Sequence, residues 1–154
     1  TPSGKIEFYS PQLASAGHDP VPRYTPPEQP PPGMFRLLYG RSPVHSFSRT
    51  QTNPLLLEMM SENHVWLNAG IASRMGLQTG DRIRLQNQDG RTSQPVPVLA
   101  TERIRPDCVY MVHGWGRKLP GLKYANGKGA SDSDLVTRFK TDPIMGGTPP
   151  APPT

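Results

Sequence analysis

The sequence predicts a small, mainly β barrel with short helices, and three observations carry that prediction. Short runs such as Arg82-Ile83-Arg84-Leu85-Gln86 alternate polar and apolar residues with the period of a strand. Turn signals, Gly80-Asp81 and Asp89-Gly90 among them, separate these runs at regular intervals. Only two segments, after Asn53 and after Asn68, pair a capping residue with good helix formers, and both are short.

Taken in order, Lys5-Ile6-Glu7-Phe8-Tyr9-Ser10 alternates as a short strand would. Residues 17–33 are rich in Gly and Pro and predict an extended linker. Phe35 to Gly40 looks like a buried strand ending at glycine, and a polar loop follows from Arg41 to Asn53. Asn53 is placed to cap a helix over Pro54–Met60, with Pro54 tolerated at its start. After the strand Val65-Trp66-Leu67, Asn68 caps a second helix from Ala69 to Met75, which Gly76 ends. Asp81 secures the turn before Arg82–Gln86 by bonding backbone N–H groups. The Asp89-Gly90 hairpin returns through Val96, Val98 and Ala100, where Pro95 and Pro97 imply an edge or a bulge. Cys108 to Val112 makes a last strand running into His113-Gly114-Trp115-Gly116.

Composition bounds the function. At 154 residues the chain fits one domain, and its 20 prolines gather in the flanks, leaving a core from about Met34 to Gly147. The charge of +5 is spread without a basic run or an aromatic ladder, which argues against nucleic acid and leaves a solvated surface or a site for a multiply charged anion. One cysteine, Cys108, excludes an internal disulfide and an iron–sulfur cluster held by these residues alone. Inside an apolar strand it reads as a packing residue. The four histidines lack metal-ligand spacing, no phosphate-cradling P-loop is present, and no apolar run is long enough to insert directly into a membrane. The opening Thr1-Pro2-Ser3-Gly4-Lys5 reads as a cut from something longer.

Gly40-Arg41-Ser42-Pro43-Val44-His45-Ser46-Phe47-Ser48-Arg49-Thr50-Gln51-Thr52-Asn53 resembles the first loop of the pterin-dinucleotide-binding domain of the dimethyl sulfoxide reductase family of molybdenum enzymes. Four more features match in the same order: Val65 to Asp81, the Asp89-Gly90 hairpin, His113-Gly114-Trp115-Gly116, and Ser131-Asp132-Ser133-Asp134-Leu135 followed by Asp142-Pro143-Ile144-Met145-Gly146-Gly147. Each motif alone is weak; five in register are strong. The wording is most similar to thiosulfate and polysulfide reductase catalytic subunits, through Gly127 to Asp132 and the final Gly-Gly segment. The resemblance implies a six-stranded double-psi β-barrel over 34–147. It also implies the end of a preceding domain and a linker at 1–33, and a disordered Pro-rich tail at 148–154. Ser133 stands near where the family usually has asparagine, and where the family commonly adds one more strand after Gly-Gly-Thr this sequence is Pro-rich, which implies a strand either lost or replaced.

The implied ligand is molybdenum bis(molybdopterin guanine dinucleotide), held jointly with upstream domains that would also carry the metal ligand and an iron–sulfur cluster. A diphosphate suits backbone N–H groups and guanidinium forks. The expected contacts are therefore Gly40, Arg41, Ser46, Ser48, Arg49, Thr50, Thr52 and Asn53 in the first loop. Gly114 and Gly116 would bring bare backbone to the pterin, His113 would join them, and Trp115 would either cover its apolar face or pack in the core. His45 either bonds a pterin edge or steadies its own loop, and Arg41 either meets phosphate or pairs with a neighbouring domain. Ser133 and Arg138 complete the set, while Lys123, Lys128 and Lys140 offer charge to phosphate or solvent. Guanine's edge would be read by a group near Asn53 or Asp132.

This makes the chain a non-catalytic, cofactor-gripping piece of a two-electron reductase, inactive alone. Its implied partners are an iron–sulfur electron-transfer subunit and a membrane anchor, at a periplasmic location. The competing expectation is a stand-alone interaction module on the same barrel. A self-processing decarboxylase is disfavoured because no Gly-Ser pair is present.

Overall fold

The protein is described by a computed structural model over residues 1, 3–21, 23–24, 26–142 and 146–147. Residues 5–10 form no strand, because none of the described residues pairs with them and an isolated strand has no stable existence in water. Ile6, Phe8 and Tyr9 stay exposed. Ser10 instead caps a short helix, α1 (Pro11–Ser15), its hydroxyl accepting from the Leu13 N–H at 3.3 Å.

Five strands form a single open sheet: β1 (Arg36–Gly40), β2 (Val65–Asn68), β3 (Arg82–Ile83), β4 (Val96–Thr101) and β5 (Cys108–Val112). Their order is β1-β5-β2-β4-β3. β1 runs parallel to β5 with Leu37 opposite Val109, and β5 antiparallel to β2 with Met111 opposite Val65. β2 then runs parallel to β4, placing Val65 opposite Val98, and β3 closes the order antiparallel to β4. The mainly β class with small helices is thus present. The described residues leave β1 and β3 as open edges rather than closing a six-stranded barrel, and no sixth strand is found among them. Of the closing segment 142–147, residues 143–145 lie outside the described residues, as does the tail 148–154.

Central position explains composition. β5 is buried along nearly its whole length and reads as a continuous apolar run, as a strand covered on both faces must. Val65, Leu67, Val96, Val98, Val109 and Met111 form the core with Ala72, Ala130 and Leu135. The expectation of an edge at Pro97 is corrected, since β4 lies between β2 and β3. Its ladder with β2 begins at Val98, so the missing N–H of Pro97 falls just outside that ladder. The expected strand over 82–86 is also shorter. Beyond Ile83 the Ser93 hydroxyl takes the Leu85 N–H at 3.0 Å, and a side chain replaces part of the ladder.

Asn53 caps α2 (Pro54–Met59) by accepting from the Leu55 N–H at 3.0 Å. Asn68 caps α3 (Ala69–Arg74) through the Gly70 and Ile71 N–H groups, and its amide also donates to the Ile104 carbonyl at 3.0 Å. Asp81 accepts from the Gln78 N–H at 2.8 Å, securing its turn. A 3-10 turn spans Asp132–Leu135. No helix among the described residues is long and apolar enough to cross a membrane.

Candidate functional site

The loop after β1 is held by its own side chains. Ser42 accepts from the Val44 N–H at 2.9 Å, turning the chain inward. His45 is buried, with Nε2 lying 2.9 Å from the Met60 carbonyl. A carbonyl only accepts, so Nε2 carries the proton and Nδ1 accepts from the Thr50 hydroxyl at 3.3 Å. The Thr50 oxygen in turn accepts from the Ser46 N–H at 3.0 Å. Phe47 adopts a left-handed backbone (φ 51°), and the Arg41 guanidinium stacks 4.7 Å from its ring centre.

The loop after β5 meets this first loop directly. Gln51 is buried, and its amide donates to the carbonyls of Phe47 (3.2 Å) and Gly114 (3.0 Å). Gly114 has φ +94°, and a Cβ there would lie 2.9 Å from both Phe47 C and Ser48 N. A side chain at Gly116 would strike the backbone of Ala130 and Ser131. Asn63, fully buried, ties the same region together. Its amide donates to the carbonyls of Val112 and Ala130, and its oxygen accepts from the Ala130 N–H, each at 2.9 Å.

Between the loops lies an open crevice of about 360 Å³. Ser48, the His113–Gly116 segment, Arg117 and Lys118 line one part, and Gln94, Ser131, Ser133 and Asp134 the other. The Arg117 guanidinium donates to the Ser48 hydroxyl across the junction. Gln94 bridges the far wall, donating to Asp134 at 3.0 Å and accepting from the Ser131 N–H at 3.1 Å. At the floor, His113 Nδ1 lies 2.9 Å from the buried carboxylate of Asp132.

Of the residues expected from sequence, Ser48, His113, Gly114, Trp115, Gly116 and Ser133 come together at this crevice. Trp115 is only 2% exposed and meets the His45 ring edge-on at 5.2 Å, so its ring belongs to the interior rather than to an open face. Its Nε1 is buried without a hydrogen-bond partner among the described residues. His45 and Thr50 are spent on each other inside the loop. Gly40 lies below Tyr110, whose hydroxyl would stand 2.9 Å from an added Cβ. Arg41, Ser46, Arg49 and Thr52 are exposed away from the crevice lining, and Asn53 is engaged as the cap of α2.

Arg138 sits elsewhere, ion-paired to Asp89 at 2.5 Å beside a second cavity of about 540 Å³ between β1 and the β3 side. Asp132 turns both oxygens to His113 and so does not itself read a base edge. Sequence reasoning missed Gln51, Asn63, Arg117 and Lys118. Arg117 and Lys118 follow His113-Gly114-Trp115-Gly116 directly and were within reach of that motif; the two amides carry no local signal. Burial lifts the Cys108 thiol above its ordinary range, in keeping with a packing role.

The donor set suits a phosphorylated heterocycle. A guanidinium, an ammonium and hydroxyls converge on one crevice together with backbone that only glycine permits. Its volume lies in the range of small-molecule sites, about 300–1,000 Å³. The family model for the molydopterin dinucleotide binding domain matches residues 35–151. The chain is 34% identical over 148 residues to the thiosulfate reductase molybdopterin-containing subunit PhsA of Salmonella typhimurium, covering 95% of this chain and 19% of that protein. It is 30% identical over 168 residues to the dimethyl sulfoxide reductase DmsA of Escherichia coli, covering 97% of this chain and 20% of that protein. The chain thus spans about a fifth of the length of these relatives. Acetylene hydratase from Pelobacter acetylenicus shares the fold, with a TM-score of 0.69 at 21% identity over 92% of this chain and 21% of its own. The chain therefore belongs to the molydopterin dinucleotide binding domain family of molybdenum oxidoreductases related to dimethyl sulfoxide reductase.

Proposed function

We propose that this chain grips a molybdopterin guanine dinucleotide as part of a reductase acting on a sulfur compound such as thiosulfate or polysulfide. One observation carries the reading: two loops from separate strands, β1 and β5, are locked together by Gln51 and open a single polar crevice. Arg117 and Lys118 would hold the diphosphate, with Ser48 and Ser133 completing its hydrogen bonds. The bound molybdenum would supply the two-electron chemistry, and this chain's residues bind and orient its organic part. The sulfur substrate is favoured by the likeness to the thiosulfate reductase subunit.

The remaining parts of the proposal follow the family. Upstream domains share the bis(molybdopterin guanine dinucleotide) and hold an iron–sulfur cluster, an iron–sulfur subunit and a membrane anchor complete the enzyme, and the assembly works in the periplasm. The fold follows the family's six-stranded double-psi barrel, of which the described residues supply five strands. The test is Arg117→Ala in the complete subunit, read as molybdenum and acid-released GMP per polypeptide. Both are expected to fall at least about tenfold, the scale of losing a charge-assisted hydrogen bond. Unchanged content of both overturns the assignment.

A further inference from the structure

One pair of titratable groups, His113 at the crevice and Asp132 buried behind it, is not used by the diphosphate contacts proposed above. His113 Nδ1 lies 2.9 and 3.0 Å from the two oxygens of Asp132. The carboxylate is 3% exposed and the imidazole 37%. Phe47 meets the His113 ring edge-on at 5.7 Å, and Tyr39 stands at 6.3 Å. The ring is thus fixed through one nitrogen and flanked by two aromatic side chains. Nε2 has no hydrogen-bond partner among the described residues, and the side chain lines the crevice.

The geometry points to His113 as a specificity-determining acceptor, with Asp132 as its positioning residue. A carboxylate accepts only, so Nδ1 carries the proton, and in the neutral imidazole Nε2 presents a lone pair. A lone pair repels the oxygens of a diphosphate diester, which have no hydrogen to give. It accepts from an N–H of a 2-amino-4-oxopyrimidine edge, the feature that pterin and guanine share. Within the crevice, phosphate therefore belongs at Arg117 and Lys118 and a heterocycle edge at His113. This rests on the crevice being the cofactor groove.

Long-range nitrogen–proton correlation spectra of the 154-residue chain at neutral pH test it. A protonated Nδ1 and an unprotonated Nε2 are expected for His113. Three probes are then titrated: a phosphate-free pterin, GDP and inorganic phosphate. The pterin or GDP, or both, should move the Nε2 resonance, and which of them does so assigns the source of the edge. Inorganic phosphate alone should leave Nε2 in place. In Asp132→Asn the amide can donate to Nδ1, so the proton should move to Nε2. The responding heterocycle should then bind roughly threefold to tenfold more weakly, the worth of one neutral hydrogen bond, with phosphate affinity unchanged. A protonated Nε2 in the unsubstituted chain overturns the inference, as does an equal loss of phosphate and heterocycle binding in the variant. Phosphate shifting Arg117 while neither heterocycle moves His113 sinks this inference and leaves the cofactor groove standing. Silence of every crevice resonance to all three probes sinks both.

Discussion

Asn63 and Gln51 show how much of this crevice rests on single buried amides. Each is almost fully buried, where an unpaired polar group costs about 1–3 kcal/mol. Asn63→Ala would strand the carbonyls of Val112 and Ala130 and the Ala130 N–H together. We expect a loss of roughly 3 kcal/mol of unfolding free energy, measured by urea titration. Gly116→Ala should be as severe for a different reason, since φ is +80° and a Cβ would strike the Ala130–Ser131 backbone. A soluble variant with unaltered crevice amide shifts would refute that account. These residues also mark where sequence reasoning stopped. Glycines announce tight backbone by their lack of a side chain, so the turn at 113–116 was legible. An asparagine whose partners lie far along the chain announces nothing. His45 was recognised as important but its partner, the Met60 carbonyl, belongs to another element and carries no sequence signature.

At the level of elements, capping was the most legible feature because it is local. Asn53 and Asn68 were both identified as caps, and both cap. Their substitutions should nevertheless differ. Asn53→Ala loses one cap bond, about 1 kcal/mol. Asn68→Ala loses the cap and also the bond to the Ile104 carbonyl, and should cost roughly 1 kcal/mol more. Equal thermal shifts for the two variants would show the Ile104 contact to be inert. Strands were less legible. The run at 5–10 has the pattern of a strand without a partner among the described residues, and Pro97 implies an edge or a bulge because register, which decides the matter, is set by distant pairing.

Across the whole molecule, ion pairs set the response to acid. Hydrogen bonds from Arg138 and Thr137 hold the Asp89 carboxyl below its ordinary range, as Arg105 does for Asp107 and Arg82 for Glu62. A carboxyl depressed in the folded state stabilises the fold above its unfolded pKa and loses that effect as pH falls through the lower folded value. Unfolding free energy should therefore hold steady near neutrality and decline below about pH 4.5, where unfolded carboxyls begin to take up protons. Glu62→Gln should make that decline shallower; an identical acid profile would exclude the Glu62–Arg82 pair as a contributor. Fold class was legible at this scale, from turns and short strands. Closure was not, because pairing at the β1 and β3 edges is decided by distant partners that no local pattern marks.

The strand order has a consequence for biosynthesis. β2, β3 and β4 can assemble as soon as they have emerged, yet among the described strands β1, made before all of them, pairs with β5 alone, made after them. A ribosome halted ahead of Cys108 would display Leu37 and its neighbours with no ladder to join, which is where holdase chaperones and proteases should find the nascent polypeptide. Protection of that stretch should appear abruptly once Cys108–Val112 clears the exit tunnel, and gradual protection beforehand would mean that β1 has found some other lodging.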